Sequence, residues 1–228
     1  MKAIHLRTEY LDRPMTMDLP HPRVSWQCEG GVRQTAYRIV SQKNGESLWD
    51  SGKVYSAEMN LIRLGGEQIR SRDRVTWKVM LWDEQDVPGE WSEETFFEAG
   101  LAEQADWGVS FENSVSENDE AVSWISGNYI PKRGERYPAD GFRKRFVVEE
   151  EILKARLYIT ACGIYEAAID GTRVGNFVLA PGSTDYRKRL QYQAYDVTDL
   201  LLAHPEKRHE ITIELADGWY RGSLGAFG

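Results

Sequence analysis

Apolar and polar residues alternate along several short stretches in the first hundred residues of the chain. The clearest stretch covers residues 75–81, where every second residue is Val, Trp, Val or Leu. This period of two is typical of a strand with one buried face. Comparable stretches lie at residues 24–28, 35–40, 47–50 and 94–97. Turn residues separate them and no helical pattern intervenes, which predicts an antiparallel β-sandwich for residues 1–100.

A second group of strand-like stretches predicts another β-domain over residues 139–228. Strands are expected at residues 141–148, 155–161, 164–169, 172–174 and 209–215. The pair Asp170-Gly171 stands between two of them and can supply the two positive φ angles of a type I′ hairpin turn. Residues 196–202 predict a short helix or helical turn, with Asp196 as its N-cap and Asp199 as a weak capping-box partner.

Residues 101–138 differ in composition from both flanking regions. Residues 110–120 are rich in Asn, Ser and Glu, and residues 129–138 form a charged loop bracketed by prolines. Trp107 and Trp124 interrupt this polar stretch, and such large apolar side chains favour burial. We therefore expect an ordered connecting segment that the two tryptophans anchor against a domain.

The composition excludes several classes of protein. The 228 residues are 41% hydrophobic and include 8 Trp, 11 Tyr and 7 Phe, which is more apolar surface than a disordered chain carries. No apolar run approaches the roughly 20 residues that span a bilayer, and residues 1–9 lack the apolar core of a secretory signal. The net charge of −8 without a long basic block argues against nucleic-acid binding. We expect a folded protein that binds neither membranes nor nucleic acids.

The two cysteines and four histidines give no indication of a redox or metal site. Cys28 and Cys162 each lie in an apolar, strand-like stretch, which favours two buried free thiols. The histidines, at positions 5, 21, 204 and 209, lie among polar or turn-like residues and are expected at the surface. We predict no metal or other cofactor. Without a secretory signal or a disulfide framework, the expected location is cytoplasmic.

The second domain carries an ordered series of motifs that resembles the N-terminal domain of bacterial α-L-rhamnosidases, in glycoside hydrolase family seventy-eight. The motifs are ARLYITACGIYE at 155–166, DGTRVG at 170–175, LAPGSTDY at 179–186, YDVTDLL at 195–201 and DGWYRG at 217–222. Stretches of the first domain are similar to the leading fibronectin-type-III-like module of the same family. They are Trp26, QTAYRI at 34–39, LWDSG at 48–52, TWKV at 76–79 and EWS at 90–92.

The resemblance implies an all-β chain. Its first part is a fibronectin-III/immunoglobulin-like antiparallel β-sandwich, and its second is a jelly-roll-like (galactose-binding-like) β-sandwich that is expected to be incomplete at residue 228. Two positions depart from the family pattern. Val75 stands where the module usually has the Tyr of a tyrosine corner, and Asp170 stands where the turn usually has Asn.

The resemblance also implies an accessory role. Family members carry catalysis on a later (α/α)₆ barrel that these 228 residues do not include, so no catalytic residue is expected in the chain. The expected role is that of an N-terminal fragment that supports the barrel of an enzyme hydrolysing terminal α-L-rhamnosides. Its expected partners are that barrel and a rhamnose-containing glycan or glycoside.

A carbohydrate contact is predicted at Asp217, Trp219, Tyr220 and Arg221, directly after the last predicted strand. Sugar rings stack on Trp and Tyr, while carboxylates and guanidinium groups bind sugar hydroxyls. The alternative for Trp219 is packing on the sandwich core or against the barrel. Residues 185–189 are a second candidate, with a solvated loop as the alternative. The tryptophans at 26, 49, 77 and 91 are expected in the core and rim of the first domain, and Trp82 on the opposite face of its strand.

Two other functions stay open at this point. The chain could be a free-standing carbohydrate-binding module, which requires exposed aromatic residues near polar groups. It could also be a protein-interaction scaffold, which requires exposed aromatic residues at the sheet edges. A sandwich that lacks its last strands exposes sheet edges and an apolar face, which predicts self-association into a homo-oligomer.

Overall fold

The computed structural model describes residues 1–107, 124–130, 132, 137–204 and 206–222. The chain divides into two compact units, Met1–Ser123 and Trp124–Gly228, which are called the first and second domain below. The division falls within the predicted connecting segment, much of which lies outside the described residues. Within the described part of the chain, no helix is long and apolar enough to cross a membrane.

The first domain is a sandwich of two antiparallel sheets. Its strands are β1 (Lys2–Thr8), β2 (Arg23–Glu29), β3 (Ala36–Lys43), β4 (Glu46–Asp50), β5 (Ile62–Arg63), β6 (Arg74–Trp82), β7 (Pro88–Trp91) and β8 (Thr95–Glu98). One sheet has the order β1-β2-β5. The other has the order β4-β3-β6-β7, and β8 also pairs with β6. This arrangement confirms the predicted antiparallel β-sandwich.

Alternating faces of these strands build the core of the first domain. Every second side chain of β6 is buried, as the sequence pattern predicts. Trp26 and Trp77 are enclosed, and their indole N–H groups donate to Gln34 Oε1 (3.0 Å) and Thr8 Oγ1 (3.2 Å). The tryptophans at 49, 82 and 91 are half-buried. Trp26 and Trp77 therefore lie in the core, as expected, and Trp49 packs against it. Trp82 and Trp91 lie on the other face of the sheet, with the ammonium groups of Lys53 and Lys78 at 4.8 and 5.2 Å from their rings.

Three strands of the first domain were not predicted because they lack a regular alternation. The pairing of β1 with β2 shifts between Ile4 and Arg7, and His5 between them has a φ of 50°. Such a bulge breaks the period of two. The strand β5 has only two residues, and β7 begins with Pro88 followed by Gly89, residues that are depleted in strands.

The second domain contains a larger and a smaller antiparallel sheet. Its strands are β9 (Asp140–Val147), β10 (Arg156–Ile159), β11 (Ile164–Ile169), β12 (Thr172–Arg173), β13 (Gln193–Asp196) and β14 (Arg208–Ala216). Four strands form the order β12-β11-β14-β9, while β10 pairs with β13. Side chains from both sheets share one apolar cluster. Two short helices, α1 (Thr198–Leu202) and α2 (Gly218–Arg221), complete the described elements.

The start of α1 differs by one residue from the prediction. Val197, not Asp196, occupies the N-cap position. Asp196 still contributes, because its Oδ1 accepts hydrogen bonds from the N–H (3.1 Å) and the hydroxyl (2.6 Å) of Thr198. The carboxylate therefore satisfies a donor at the helix start from one position further out.

The hairpin at Asp170-Gly171 forms as predicted, with φ angles of 50° and 80°, and the carboxylate in its turn has an unpredicted partner. Asp170 Oδ2 lies 2.7 Å from Nδ1 of His209, while Oδ1 accepts the N–H of Glu210 at 2.7 Å. His209 is only 2% exposed, so the surface location expected for it is wrong. It lies on the inward face of β14, and the carboxylate supplies the hydrogen-bond partner that a buried imidazole needs.

Both cysteines are free and partly buried. Burial raises the pKa of the Cys28 and Cys162 thiols. A raised pKa keeps a thiol protonated and unreactive at neutral pH. Both thiols are free, as expected, but they are half-buried rather than fully buried.

The two tryptophans of the predicted connecting segment differ in their surroundings. Trp107 ends a 3₁₀ turn, Gln104–Trp107, and is half-buried in the first domain. Trp124 exposes 51% of its surface. The anchoring role of Trp124 therefore stays a prediction.

Candidate functional site

The predicted carbohydrate residues lie in and beside α2, the single helical turn that follows β14. The turn depends on Gly218, which has a φ of 49°. A Cβ at this position would lie 2.5 Å from Cγ1 of Ile164 and 3.1 Å from the backbone of Gly163. Glycine is therefore required for the chain to turn this close to the start of β11.

Arg221 is the centre of a polar cluster in the second domain. Its Nη2 lies 2.7 Å from Asp217 Oδ1 and 3.8 Å from Asp140 Oδ2, and it donates to the hydroxyl of Tyr129 at 3.3 Å. Burial alone would lower the pKa of Arg221, but the hydrogen bond with Tyr129 and the charges of Asp217 and Asp140 outweigh it and raise that pKa. The guanidinium group is thus held in place by residues from three parts of the chain.

Two aromatic residues extend this cluster. Tyr129 stacks on Tyr137 with ring centroids 4.6 Å apart and planes 16° from parallel. Its hydroxyl donates to Oδ2 of Asp140 at 3.2 Å, and its ring lies 5.8 Å from the guanidinium carbon of Arg221. These contacts fasten residues 124–130 and 137–140 to the end of β14. We call the set of Tyr129, Asp140, Asp217 and Arg221 the arginine cluster.

The structure brings the two predicted carbohydrate candidates together. Tyr220 of the first candidate and Tyr186 of the second form an edge-to-face pair with ring centroids 5.2 Å apart. Tyr220 is 50% exposed, whereas Tyr186 is half-buried and its hydroxyl donates to the carbonyl of Gly182 at 3.3 Å. The pair offers an aromatic surface beside a charged loop, in which Asp185 contacts Arg187 at 3.1 Å.

The four predicted site residues therefore have different surroundings. Asp217 and Arg221 bind each other, so each already has a charged partner. Trp219 is half-buried, and Tyr220 is 50% exposed. An aromatic face that is open to solvent can stack on a sugar ring, and in this site Tyr220 is the residue with that property.

Sequence reasoning missed Tyr129, Tyr137 and Asp140 as members of the site. The first two lie in the loop bracketed by prolines, and the third begins β9. Two tyrosines in an otherwise charged loop were the available signal, since aromatic residues in such a loop need a surface to pack on.

Other features of the described residues do not extend this site. Among them, no three His, Cys, Asp or Glu side chains are grouped so as to hold a metal ion. In the first domain, an open cavity of about 310 Å³ lies at the bulge of β1, between residues 2–7, 12–13 and 93–95. Its lining carries both basic and acidic side chains, and it includes no predicted site residue.

Comparison with protein families assigns a type to each domain. Residues 3–103 match the family model described as the Rha78A-like, N-terminal immunoglobulin domain. Residues 150–228 match the model of the α-L-rhamnosidase N-terminal domain. The two matches follow each other in the order that the resemblance implies.

Similar proteins of known function or structure are considerably longer than this chain. An α-L-rhamnosidase of Formosa agariphila is 34% identical over 98% of the chain, and one of an Alteromonas species is 32% identical over 89%. Among solved structures, α-L-rhamnosidases of Aspergillus terreus and Dictyoglomus thermophilum superpose with TM-scores of 0.83 and 0.78 at 29% and 30% identity, covering 100% and 99% of the chain. The chain spans 22–26% of the length of these four relatives.

Proposed function

Because this chain belongs to the N-terminal region of the α-L-rhamnosidase family, we propose that it is the accessory, non-catalytic part of an enzyme that hydrolyses terminal α-L-rhamnosides. The catalytic (α/α)₆ barrel would then lie outside these 228 residues. The observation that carries the proposal is the unequal coverage. The α-L-rhamnosidase of Formosa agariphila aligns with 98% of this chain, but the aligned part is only 24% of that relative's length. The chain would support the barrel and contribute contacts to a rhamnose-containing glycan.

A paired activity measurement tests this proposal. The purified chain should not hydrolyse an aryl α-L-rhamnoside above the buffer rate. The Formosa agariphila relative should hydrolyse the same compound, and deletion of its matching N-terminal quarter should lower its melting temperature or its activity. Hydrolysis by the purified chain alone would show that the chain itself is catalytic. An unaffected deletion variant would remove the supporting role.

The finer proposal is that the aromatic pair of Tyr186 and Tyr220 contacts a sugar. It is supported by the exposed ring of Tyr220 and by the neighbouring charged loop at residues 185–189. Titration of the chain with L-rhamnose should shift the amide resonances of residues 186 and 220, and Tyr220→Ala should abolish the shifts. Tyr55→Ala is the matched control, since Tyr55 is an exposed tyrosine of the first domain. Unchanged spectra at tens of millimolar rhamnose would contradict the sugar contact and leave the accessory role standing.

The proposed location is the cytoplasm, because free thiols such as those of Cys28 and Cys162 are typical of a reducing compartment. Fractionation of cells that express the native gene, with detection of the protein by an antibody, tests this. Recovery in the periplasm or the medium would contradict it.

A further inference from the structure

Burial decreases from β11 to β9 along the rows of the four-stranded sheet that contain residues 211, 213 and 215. On its inward face, Tyr165, Ala167 and Ile169 of β11 are buried. Their partners on β14, at positions 215, 213 and 211, are only half-buried. Asp140, Phe142 and Lys144 of β9 are the partners of residues 215, 213 and 211 of β14. Asp140 and Phe142 are half-buried, and Lys144 is exposed. The inward face is therefore less covered along the Asp140–Lys144 part of β9, whereas Phe146 at the other end of β9 packs on the apolar cluster.

The strand β9 is also a free edge within the described residues. It pairs with β14 along eight residue pairs, from Asp140 to Val147, and with no other described strand. A free edge presents backbone N–H and C=O groups that can pair with an added strand. Phe142, Ile211, Ile213 and Leu215 form a half-buried apolar strip beside that edge, and the last three also pack on the apolar cluster. An added strand could satisfy the edge and cover the exposed part of the strip together.

The charges on β9 indicate which kind of strand fits. Arg143 and Arg145 lie on the outward face, with side chains 67% and 79% exposed. One carboxylate, that of Glu210, lies near both of them, at 3.9 and 2.9 Å. Lys144 lies between them on the inward face. Glu214, opposite Gly141, is the second carboxylate of this face. Three cations beside two carboxylates leave this edge with a net positive charge.

This charge makes a second copy of the chain a poor occupant of the edge. An antiparallel pairing of β9 with itself would bring the basic residues 143–145 of two copies opposite each other. Like charges in directly opposite positions destabilise a pair of strands. A strand with carboxylates on its outward face avoids this repulsion and neutralises the two arginines.

We propose that β9 is a docking edge for an acidic polypeptide strand that carries glutamate or aspartate on its outward face and apolar residues on its inward face. The carboxylates pair with Arg143 and Arg145, and the apolar side chains cover the strip of Phe142, Ile211, Ile213 and Leu215. The main-chain groups extend the sheet by β-augmentation. If the proposed function holds, this strand belongs to the longer polypeptide, but binding at the edge is independent of any hydrolytic activity.

A designed peptide tests the docking edge on the purified 228-residue chain. The probe is Glu-Val-Glu-Ile-Glu-Val-Glu with blocked ends and a fluorescent label, and its binding is followed by anisotropy. One control peptide has lysine at every glutamate. Another has proline at the central isoleucine, which removes a backbone donor and disrupts strand pairing. We expect saturable binding of the acidic peptide, chemical-shift changes in the amides of Asp140–Val147, and loss of binding with either control peptide.

Charge-neutralising variants localise the interaction. Arg143→Gln combined with Arg145→Gln should weaken binding of the acidic peptide about tenfold, given the usual strength of cross-strand charge pairs. Both side chains are exposed, and glutamine opposite Glu210 avoids a like-charge contact, so the fold tolerates the change. Arg33→Gln with Arg70→Gln, two exposed arginines of the first domain, is the matched control and should leave binding unchanged. The proposal would be overturned if the acidic peptide did not bind, or if it bound no better than the lysine peptide. Chemical-shift changes outside β9 would also overturn it, as would a dimer joined through β9, detected by light scattering and amide protection. None of these outcomes bears on the rhamnosidase assignment.

Discussion

Replacing Asp170 by Asn tests whether the carboxylate in the hairpin turn stabilises the second domain through buried His209. Asn tolerates the φ of 50° at this position, and its amide oxygen can still accept the N–H of Glu210. The change removes the charge from the 2.7 Å contact with Nδ1 of His209. Because the His209 and Asp170 side chains are only 1% and 12% exposed, solvent does not replace the lost interaction. A buried hydrogen bond to a charged group contributes about 1.5–3 kcal/mol, so we expect a loss of about 2 kcal/mol.

Hydrogen exchange is the suitable assay because it reports the opening free energy of individual amides. The amides of β11 and β14 should exchange faster in Asp170→Asn, while those of the first domain should be unchanged. The control is Asp86→Asn. Asp86 also has a positive φ, 62°, but its side chain is 54% exposed and pairs with Lys53 at the surface. An exposed pair of this kind contributes about 0.2–1 kcal/mol.

The effect of Asp170→Asn should also depend on pH. Burial raises the pKa of Asp170, but the hydrogen bonds from His209 and Glu210 outweigh it and lower that pKa. A carboxyl group with a lowered native pKa stabilises the fold above its unfolded pKa, and this stabilisation is lost as the pH falls through the native value. The cost of the substitution should therefore be present at pH 5 and shrink below about pH 4. A cost no greater than that of Asp86→Asn, or one that acid does not reduce, would refute the reasoning.

Three further substitutions or titrations probe other features of the molecule. Gly218→Ala should destabilise the second domain by about 1–3 kcal/mol, because the new Cβ would lie 2.5 Å from Ile164. Hydrogen exchange measures this loss, and Gly141→Ala is the control because a Cβ at that position has no neighbour within 4 Å. Trp77→Ala should cost the first domain about 3–5 kcal/mol in urea denaturation, and a cost below 1 kcal/mol would contradict its role in the core. The side chain of Glu84 should titrate at about pH 2 in carbon-detected NMR, since backbone N–H groups of the neighbouring loop lower its pKa to about 2. Its contact with that loop should then persist until the pH falls to this value, and a midpoint near 4 would show that the hydrogen bonds do not form in solution.

The sequence predicts the strands of the first domain wherever one face is buried and the other is half-exposed. The strand β6 shows this most clearly, because its side chains alternate between buried and half-buried along nine residues. Prediction failed where the backbone departs from regular geometry. In β1 the bulge at His5 interrupts the alternation, and β5 is too short to show any period. Hydrophobic periodicity reports regular strands and misses strands that twist, shorten or bulge.

The alternation at residues 209–215 puts His209 on the same face as Ile211 and Ile213 and so indicates its inward direction, but the partner that makes its burial possible could not be derived from its neighbours in sequence. The histidine stands in an alternating strand beside polar residues, and its burial depends on Asp170, 39 residues earlier. The same limit applies to the site. Arg221 and Tyr129 are 92 residues apart in the sequence and meet only because β9 and β14 are neighbours in the sheet. The Asp-Gly turn, in contrast, is encoded by two adjacent residues and was predicted correctly.

The geometry separates two roles within the predicted carbohydrate site. The guanidinium of Arg221 is already bound by Asp217 and Tyr129, and a sugar hydroxyl would have to displace one of these partners at the cost of a charge-assisted hydrogen bond. A ligand could contact Tyr220 without displacing a hydrogen-bond partner, because half of the surface of Tyr220 faces solvent. The arginine cluster therefore fixes the end of β14 and positions α2, while the aromatic pair is the part that remains free to contact a ligand. An accessory domain that contributes to a sugar site would do so through Tyr220, and Arg221 would act by holding the turn that presents it.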